Sequence, residues 1–239
     1  MAATPSTTAL GTAYENATKL FLSRPPFSIR GLLNVGGAGD GGVDLRGRWT
    51  WTAGAAAATS RPGASSDTTS PCTPRGGLLD LPGGARPTLL PPLGQSEDDQ
   101  QLRTRTWDVL VQCKAEKDRL GPSIVRELEG SILADLARRN RPSLSSRSLA
   151  PPSPGAAAGS APIGVLVGLS GFSEAAIRHA QTSAIPLVLA HLRVTDLREM
   201  VATRGREGDV SLVSASVNKA MKRLVEDAFA EQPVKAAQA

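Results

Sequence analysis

The chain of 239 residues carries a formal charge of +5, a sequence pI near 9.7 and only 3% aromatic residues. No run approaches the roughly 18 apolar residues of a membrane-spanning helix. The two cysteines, Cys72 and Cys113, supply neither a disulfide framework nor a zinc-ligand spacing. The basic excess suits a polyanionic partner, and it suits a plain basic soluble protein equally well. The 18 prolines and 24 glycines are concentrated in two tracts. That leaves roughly 150 residues able to pack, enough for one core built mainly of Leu, Val, Ile and Ala. Met1 to Leu10 is Thr/Ala-rich, lacks Arg and acid, and is too short and uncharged to read as a presequence.

Gly11 to Leu22 has the spacing of a helix, with Tyr14, Ala17, Leu20 and Phe21 as its apolar stripe and Glu15 at the stripe's border. Pro25-Pro26 stops it, and Phe27 to Val35 follows as a first strand. The run Gly36 to Gly42 is a turn that needs glycine. In the next strand Val43, Leu45, Trp49 and Trp51 are expected on one face, with Asp44, Arg46, Arg48 and Thr50 on the other. Residues 53–100 are rich in Ala, Gly, Pro, Ser and Thr and cannot bury enough apolar surface to offset the entropy of ordering. They read as a disordered insertion between two paired strands.

The second of those strands, Arg105 to Ala115, is the centre of the chain. Trp107, Val109, Val111 and Cys113 share its apolar face, while Gln112 and Lys114 leave together on the other, roughly 6.6 Å apart along the strand. Gly121-Pro122 opens a helix whose buried stripe is Ile124, Val125, Leu128, Ile132, Leu133 and Leu136. Gly130 in its middle suggests close packing. A Pro/Ser-rich linker, 140–161, leads to a β-α-β unit: strand Ile163–Leu169, helix Ser173–Gln181 capped by Ser173, and strand Ile185–His191. Val210 to Phe229 has the pattern of an amphipathic closing helix, with Leu212, Val213, Val217, Met221, Leu224 and Val225 inward. The fold expected is one α/β domain over 1–239, a mixed sheet flanked by helices.

If the strand of Asp44 pairs with that of Gln112 and Lys114, these three side chains share a face. A carboxylate and an amide oxygen suit a hard cation such as Mg²⁺, and a lysine beside it can orient a water and stabilise charge on a phosphoryl transition state. Spacing alone leaves open that Asp44 is a surface acid after a turn and Lys114 a solvated strand end. Other motifs carry less. Gly36 to Gly42 lacks the Gly-Lys-Ser/Thr ending of a phosphate loop. The run Gly168-Leu169-Ser170-Gly171-Phe172 misses the second glycine of a nucleophile elbow. His179 and His191 lack metal-ligand spacing.

Gly39-Asp40-Gly41-Gly42-Val43-Asp44-Leu45 followed by Val111-Gln112-Cys113-Lys114 resembles the Mrr branch of the PD-(D/E)xK restriction-endonuclease-like superfamily, where the last motif often reads Gln-x-Lys. The resemblance continues in Gly11 to Glu15, in Gly121 to Gly130 and in Gly168 to Ala176 with Ile185-Pro186-Leu187. Among such proteins it is similar to the fungal mitochondrial "required for respiratory growth" family. The resemblance implies a restriction-endonuclease-like fold and a Mg²⁺- or Mn²⁺-dependent nuclease acting in mitochondria. Its partner would be nucleic acid, DNA ahead of RNA, with a homodimer as a further expectation. Carried over by residue, Asp44, Gln112 and Lys114 are catalytic. Asp44, Gln112, the Cys113 carbonyl and Glu15 face the metal. Apart from the resemblance, Arg46 and Arg48 beside Asp44 suit either phosphate contacts or merely the solvated side of a strand, and with Lys117 they are the candidate nucleic-acid contacts. Val43 stands where the superfamily has proline, and Gln112 replaces a carboxylate. Those departures keep a rival expectation in play, a nuclease-derived protein that binds DNA or RNA without cleaving it.

Overall fold

The computed structural model describes residues 5–37, 41–53, 86–87, 103–139, 161–202 and 210–229. The elements run α1 (Thr7–Leu22), β1 (Arg30–Asn34), β2 (Leu45–Ala53), β3 (Arg86–Pro87), β4 (Arg103–Lys114), α2 (Pro122–Arg139), β5 (Ile163–Gly168), α3 (Glu174–Thr182), β6 (Leu187–Val194), α4 (Leu197–Ala202), β7 (Val210–Val217) and α5 (Lys219–Phe229). The sheet is mixed, in the order β1-β2-β4-β5-β6-β7, with the two-residue β3 also paired to β2. Strands β4, β5 and β6 are parallel, and the outer pairs are antiparallel. The expected mixed α/β sheet flanked by helices is the architecture found.

Each face of the sheet has its own core. On one, Leu45, Trp49, Trp51, Trp107, Val109, Val111, Val165 and Val188 pack beneath Tyr14 and Ala17 of α1 and Met221 and Val225 of α5. On the other, Leu110, Leu166 and Leu189 meet Val125, Leu128 and Ile132 of α2 and Ala176 and Ala180 of α3. Strand β5 is covered on both faces and is buried throughout, as a continuous apolar run in a parallel sheet must be.

Several local expectations change. Helix α1 begins at Thr7 rather than Gly11 because Ser6 caps it, its Oγ accepting the Ala9 N–H. Val43 belongs to the α2 side of the sheet, opposite Leu45, Trp49 and Trp51. The strict alternation starts only at Leu45, after a turn in which Gly41 and Gly42 have φ of +67° and +80°. Leu133 is 57% exposed and does not belong to the α2 stripe. Gly130 is exposed, and a Cβ there would meet nothing within 4 Å, so no close packing requires it.

The largest change is at the C-terminal end. Val210–Val217 is a strand, and only Lys219–Phe229 is helical. The run Val-Ser-Leu-Val-Ser-Ala-Ser-Val is rich in residues that lose freedom in a helix or compete for its hydrogen bonds. It gives β6 a partner on its open edge. Asn218 sets the break: its Oδ1 accepts the N–H of Met221 and of Leu187, while its Nδ2 donates to the carbonyls of Ala180, Ser183 and Ile185. Helix α4 was not anticipated; the Asp196 carboxylate caps it at the Glu199 N–H. Of the segment read as a disordered insertion, Arg86–Pro87 pairs with Trp51 and Thr52. The rest of that segment, apart from Ala53 at its start, lies outside the described residues, as do residues 38–40 of the glycine tract and 140–160 of the linker.

Candidate functional site

The site is built where β2 begins and β4 ends. Leu45 pairs with Val111, so Asp44 lies beside the last turn of strand in which Gln112, Cys113 and Lys114 follow one another. The Asp44 N–H donates to the Val111 carbonyl at 2.9 Å, and its Oδ2 accepts the Cys113 N–H at 2.6 Å. The strands Asp44 and Gln112 occupy are therefore neighbours, as expected, and the acid is fixed against the backbone of β4.

Gln112 and Lys114 do leave β4 on the face opposite Val111 and Cys113. Both reach one carboxylate oxygen on α2: Gln112 Nε2 donates to Glu127 Oε1 at 2.6 Å, and Lys114 Nζ donates to the same oxygen at 3.2 Å. Gln112 is 1% exposed, whereas the Lys114 and Glu127 side chains are 25% and 42% exposed. With its NH₂ committed to Glu127, the Gln112 amide turns its Oε1 the other way. That oxygen is buried and has no hydrogen-bond partner among the described residues.

The glycine turn is bolted to the same stretch of helix. Ser131 Oγ donates to the Gly41 carbonyl and makes a 2.9 Å contact with the Glu127 carbonyl. A Cβ on Gly42 would stand 2.8 Å from Glu127 Oε1 and 3.0 Å from Gln112 Nε2. Space and φ both demand glycine at that position.

Cys113 faces the other core. Burial pushes its thiol well above the ordinary range, and the negative charges of Asp44 and Glu15 add to the rise. The thiol is thus protonated and a poor nucleophile. Glu15, carried by α1, acts from this face, while Glu127 acts from the face of Gln112.

The basic residues are less uniform. Arg46 Nη1 binds Asp135 at 2.7 Å, with the Asp135 side chain only 7% exposed. Arg139 joins Asp135 to Asp108, and Arg48 stands 3.9 Å from Asp108 with 77% of its side chain exposed. Lys117 is exposed in the loop between β4 and α2. Arg46 therefore holds α2 to the sheet, while Arg48 and Lys117 are open to solvent. The two histidines are bound elsewhere, His179 to Glu129 and His191 to the Leu169 carbonyl.

Among the described residues no group of three His, Cys, Asp or Glu side chains is placed to hold a metal ion. The donor types present where β2 begins and β4 ends are one carboxylate, one amide oxygen and main-chain oxygen. They fit Mg²⁺ or Mn²⁺, which accept carboxylate and carbonyl ligands and keep several waters. The orphaned Gln112 Oε1 is the observation that favours such a ligand, because a buried unpaired acceptor costs about 1–3 kcal/mol.

Sequence reasoning placed Asp44, Gln112, Lys114 and Glu15 around the end of β4, and it missed Glu127, Ser131 and Asp135. These three recur at every fourth residue along α2, flanking the stripe of Val125, Leu128 and Ile132. A polar row beside a buried stripe was the available signal.

Residues 6–147 match the family described as Required for respiratory growth protein 7. No curated protein and no solved structure matches the chain. The matched stretch is more than half of the chain. It runs from α1 through α2 and includes Glu15, Asp44, Gln112, Cys113, Lys114 and Glu127.

Proposed function

The chain belongs to the required for respiratory growth protein 7 family, and from that premise we propose that it is a metal-dependent phosphodiesterase of the restriction-endonuclease-like type, acting on nucleic acid, DNA first, in mitochondria. The observation that carries this reading is the buried Gln112 Oε1 without a partner, in a strand end that also presents Asp44 and Lys114. The order of Glu15, Asp44 and Gln112-x-Lys114 is the pattern on which the resemblance to the Mrr branch rests.

In this reading Asp44, the Gln112 amide oxygen and the Cys113 carbonyl hold the cation, with Glu15 as an auxiliary acid. A bound Mg²⁺ or Mn²⁺ would neutralise phosphate charge and polarise the scissile phosphoryl group. Lys114 supplies a positive charge where negative charge builds on the phosphoryl oxygens, and its Nζ can orient the attacking water. Arg48 and Lys117 position the phosphate backbone without reading sequence. Arg46 is given to Asp135 and holds α2 to the sheet. A second reading, nucleic-acid binding without cleavage, is favoured by the neutral Gln112 and by the hold of Glu127 on Lys114.

The deciding experiment incubates the purified chain with labelled duplex DNA, single-stranded DNA and RNA in Mg²⁺, Mn²⁺ or EDTA. Cleavage that needs metal and disappears in Asp44→Ala supports the enzyme. Retention of substrate without cleavage under every metal leaves the binding protein as the function.

A further inference from the structure

Glu127 carries a role that the spacing of Asp44, Gln112 and Lys114 does not contain. A carboxylate can only accept hydrogen bonds, whereas an amide offers a donor on one side and an acceptor on the other. A carboxylate 2.6 Å from the amide nitrogen of Gln112 therefore selects one of the two amide orientations. The selected orientation sends Oε1 away from Glu127, into the buried position where it finds no partner. The same Glu127 oxygen holds Lys114 Nζ at 3.2 Å. Ser131 and the crowding at Gly42 fix this turn of α2 against the glycine turn that leads into Asp44.

We propose that Glu127 is a positioning residue of the metal site: its carboxylate locks the Gln112 amide with Oε1 turned to the cation and holds Lys114 beside it. The inference rests on the metal-site reading above. It gives the glutamine a physical explanation. A neutral amide is a dependable ligand only if its flip is prevented.

The test uses the full chain and Mn²⁺ alone, with binding followed by electron paramagnetic resonance or calorimetry and folding by thermal melting in EDTA. The wild type is expected to bind Mn²⁺, and Asp44→Ala to lose it. Glu127→Ala should weaken Mn²⁺ about ten- to a hundredfold, the usual effect of removing a group that orients a ligand. Glu127→Ala also leaves the buried Gln112 Nε2 without its acceptor, so the melting temperature in EDTA should fall by a few degrees with folding still cooperative, and Mn²⁺ affinity is compared well below the transition. Glu127→Gln keeps an acceptor but can also present its own NH₂, so it should fall between the two. The sharpest arm is Gln112→Glu combined with Glu127→Ala. A carboxylate at 112 has an oxygen on either side and needs no orientation, so the double variant should regain wild-type affinity or better.

Three results overturn the inference. In the first, Glu127→Ala binds Mn²⁺ as tightly as the wild type while Asp44→Ala does not. In the second, Glu127→Gln is as weak as Glu127→Ala, which assigns the effect to charge. In the third, the double variant stays as weak as Glu127→Ala. A wild type that binds no Mn²⁺ overturns the metal-site reading itself, and the inference with it.

Discussion

Helix α2 meets the sheet through two polar clusters, one at each end, and they are built from the same parts. At one end Asp135 takes Arg46 from β2 and Arg139 from its own helix, and Arg139 continues to Asp108 of β4. At the other end Glu127 takes Gln112 and Lys114 from β4. Eight residues of helix, roughly 12 Å, separate them. They differ in satisfaction. Burial raises the proton affinity of Asp135, but hydrogen bonds and charge from Arg46 and Arg139 outweigh it and hold the carboxyl below its ordinary range. The Glu127 cluster instead buries an amide oxygen with no partner among the described residues. A saturated cluster fastens a helix, and an unsaturated one leaves room for a ligand.

The largest expected effect breaks the unsaturated cluster. Asp44→Ala and Lys114→Ala should each lower cleavage by roughly 10²–10³-fold or more, equivalent to ~3–4 kcal/mol of barrier. The double variant should be little worse than either single one, since residues acting as a unit are not additive. Binding should separate them. Asp44→Ala, having lost a negative charge, should bind nucleic acid in EDTA as well as the wild type or better, and Lys114→Ala should bind modestly less. Full additivity in single-turnover rates would count against a shared step.

Breaking the saturated cluster should cost stability and leave the site alone. Asp135→Asn leaves Arg46 without its anion and Arg139 with Asp108 alone. The one-third exposure of Arg46 reduces the 3–5 kcal/mol typical of a broken buried pair to about 2 kcal/mol. A melting temperature lower by roughly 4–8 °C would register it. Mn²⁺ affinity should be unchanged, and a parallel loss of metal would show that the two clusters are one.

Acid sharpens the same contrast. The ordinary value for the Asp135 carboxyl is 3.8, and the folded chain holds it lower. The unfolded chain therefore binds that proton more readily than the folded one does. The stabilisation is complete above 3.8 and is lost as pH falls below it, through the lower folded value. Unfolding followed between pH 5 and pH 2 should show an acid limb that is shallower in Asp135→Asn. Equal limbs would mean that the carboxyl is not held down.

The smallest effect concerns the rod between the clusters. Gly130 lies between Glu127 and Asp135 on the outer side of α2, with open space around its Cα. Gly130→Ala should add about 0.5–1 kcal/mol of stability, without altering Mn²⁺ affinity or cleavage. A destabilised variant in chemical denaturation would restore the close packing that the sequence suggested for this glycine.

By itself the sequence determined the elements whose pattern is set within one segment. The alternation of Trp107, Val109, Val111 and Cys113 against Gln112 and Lys114 follows from strand geometry alone. The Ser173 cap of α3 and Pro122 at the start of α2 are equally local. Asp44 beside Gln112 needed only that neighbouring strands pair. What the tertiary structure decided is which surface a residue meets. Val210–Val217 has apolar positions that fit a helical stripe, and it became a strand because β6 had an open edge and Asn218 could tie the break to three carbonyls. Leu133 fits the α2 stripe by spacing, yet it is exposed because it lies off the helix face that buries Ile132 and half-buries Leu136. Glu127 and Asp135 share a helix face and a charge, and no pattern along the chain tells them apart. Their roles diverge because one meets two arginines and the other a glutamine whose far side stays unbonded. Hydrogen-bond satisfaction is a property of what surrounds a group in space, and only folding assembles those surroundings.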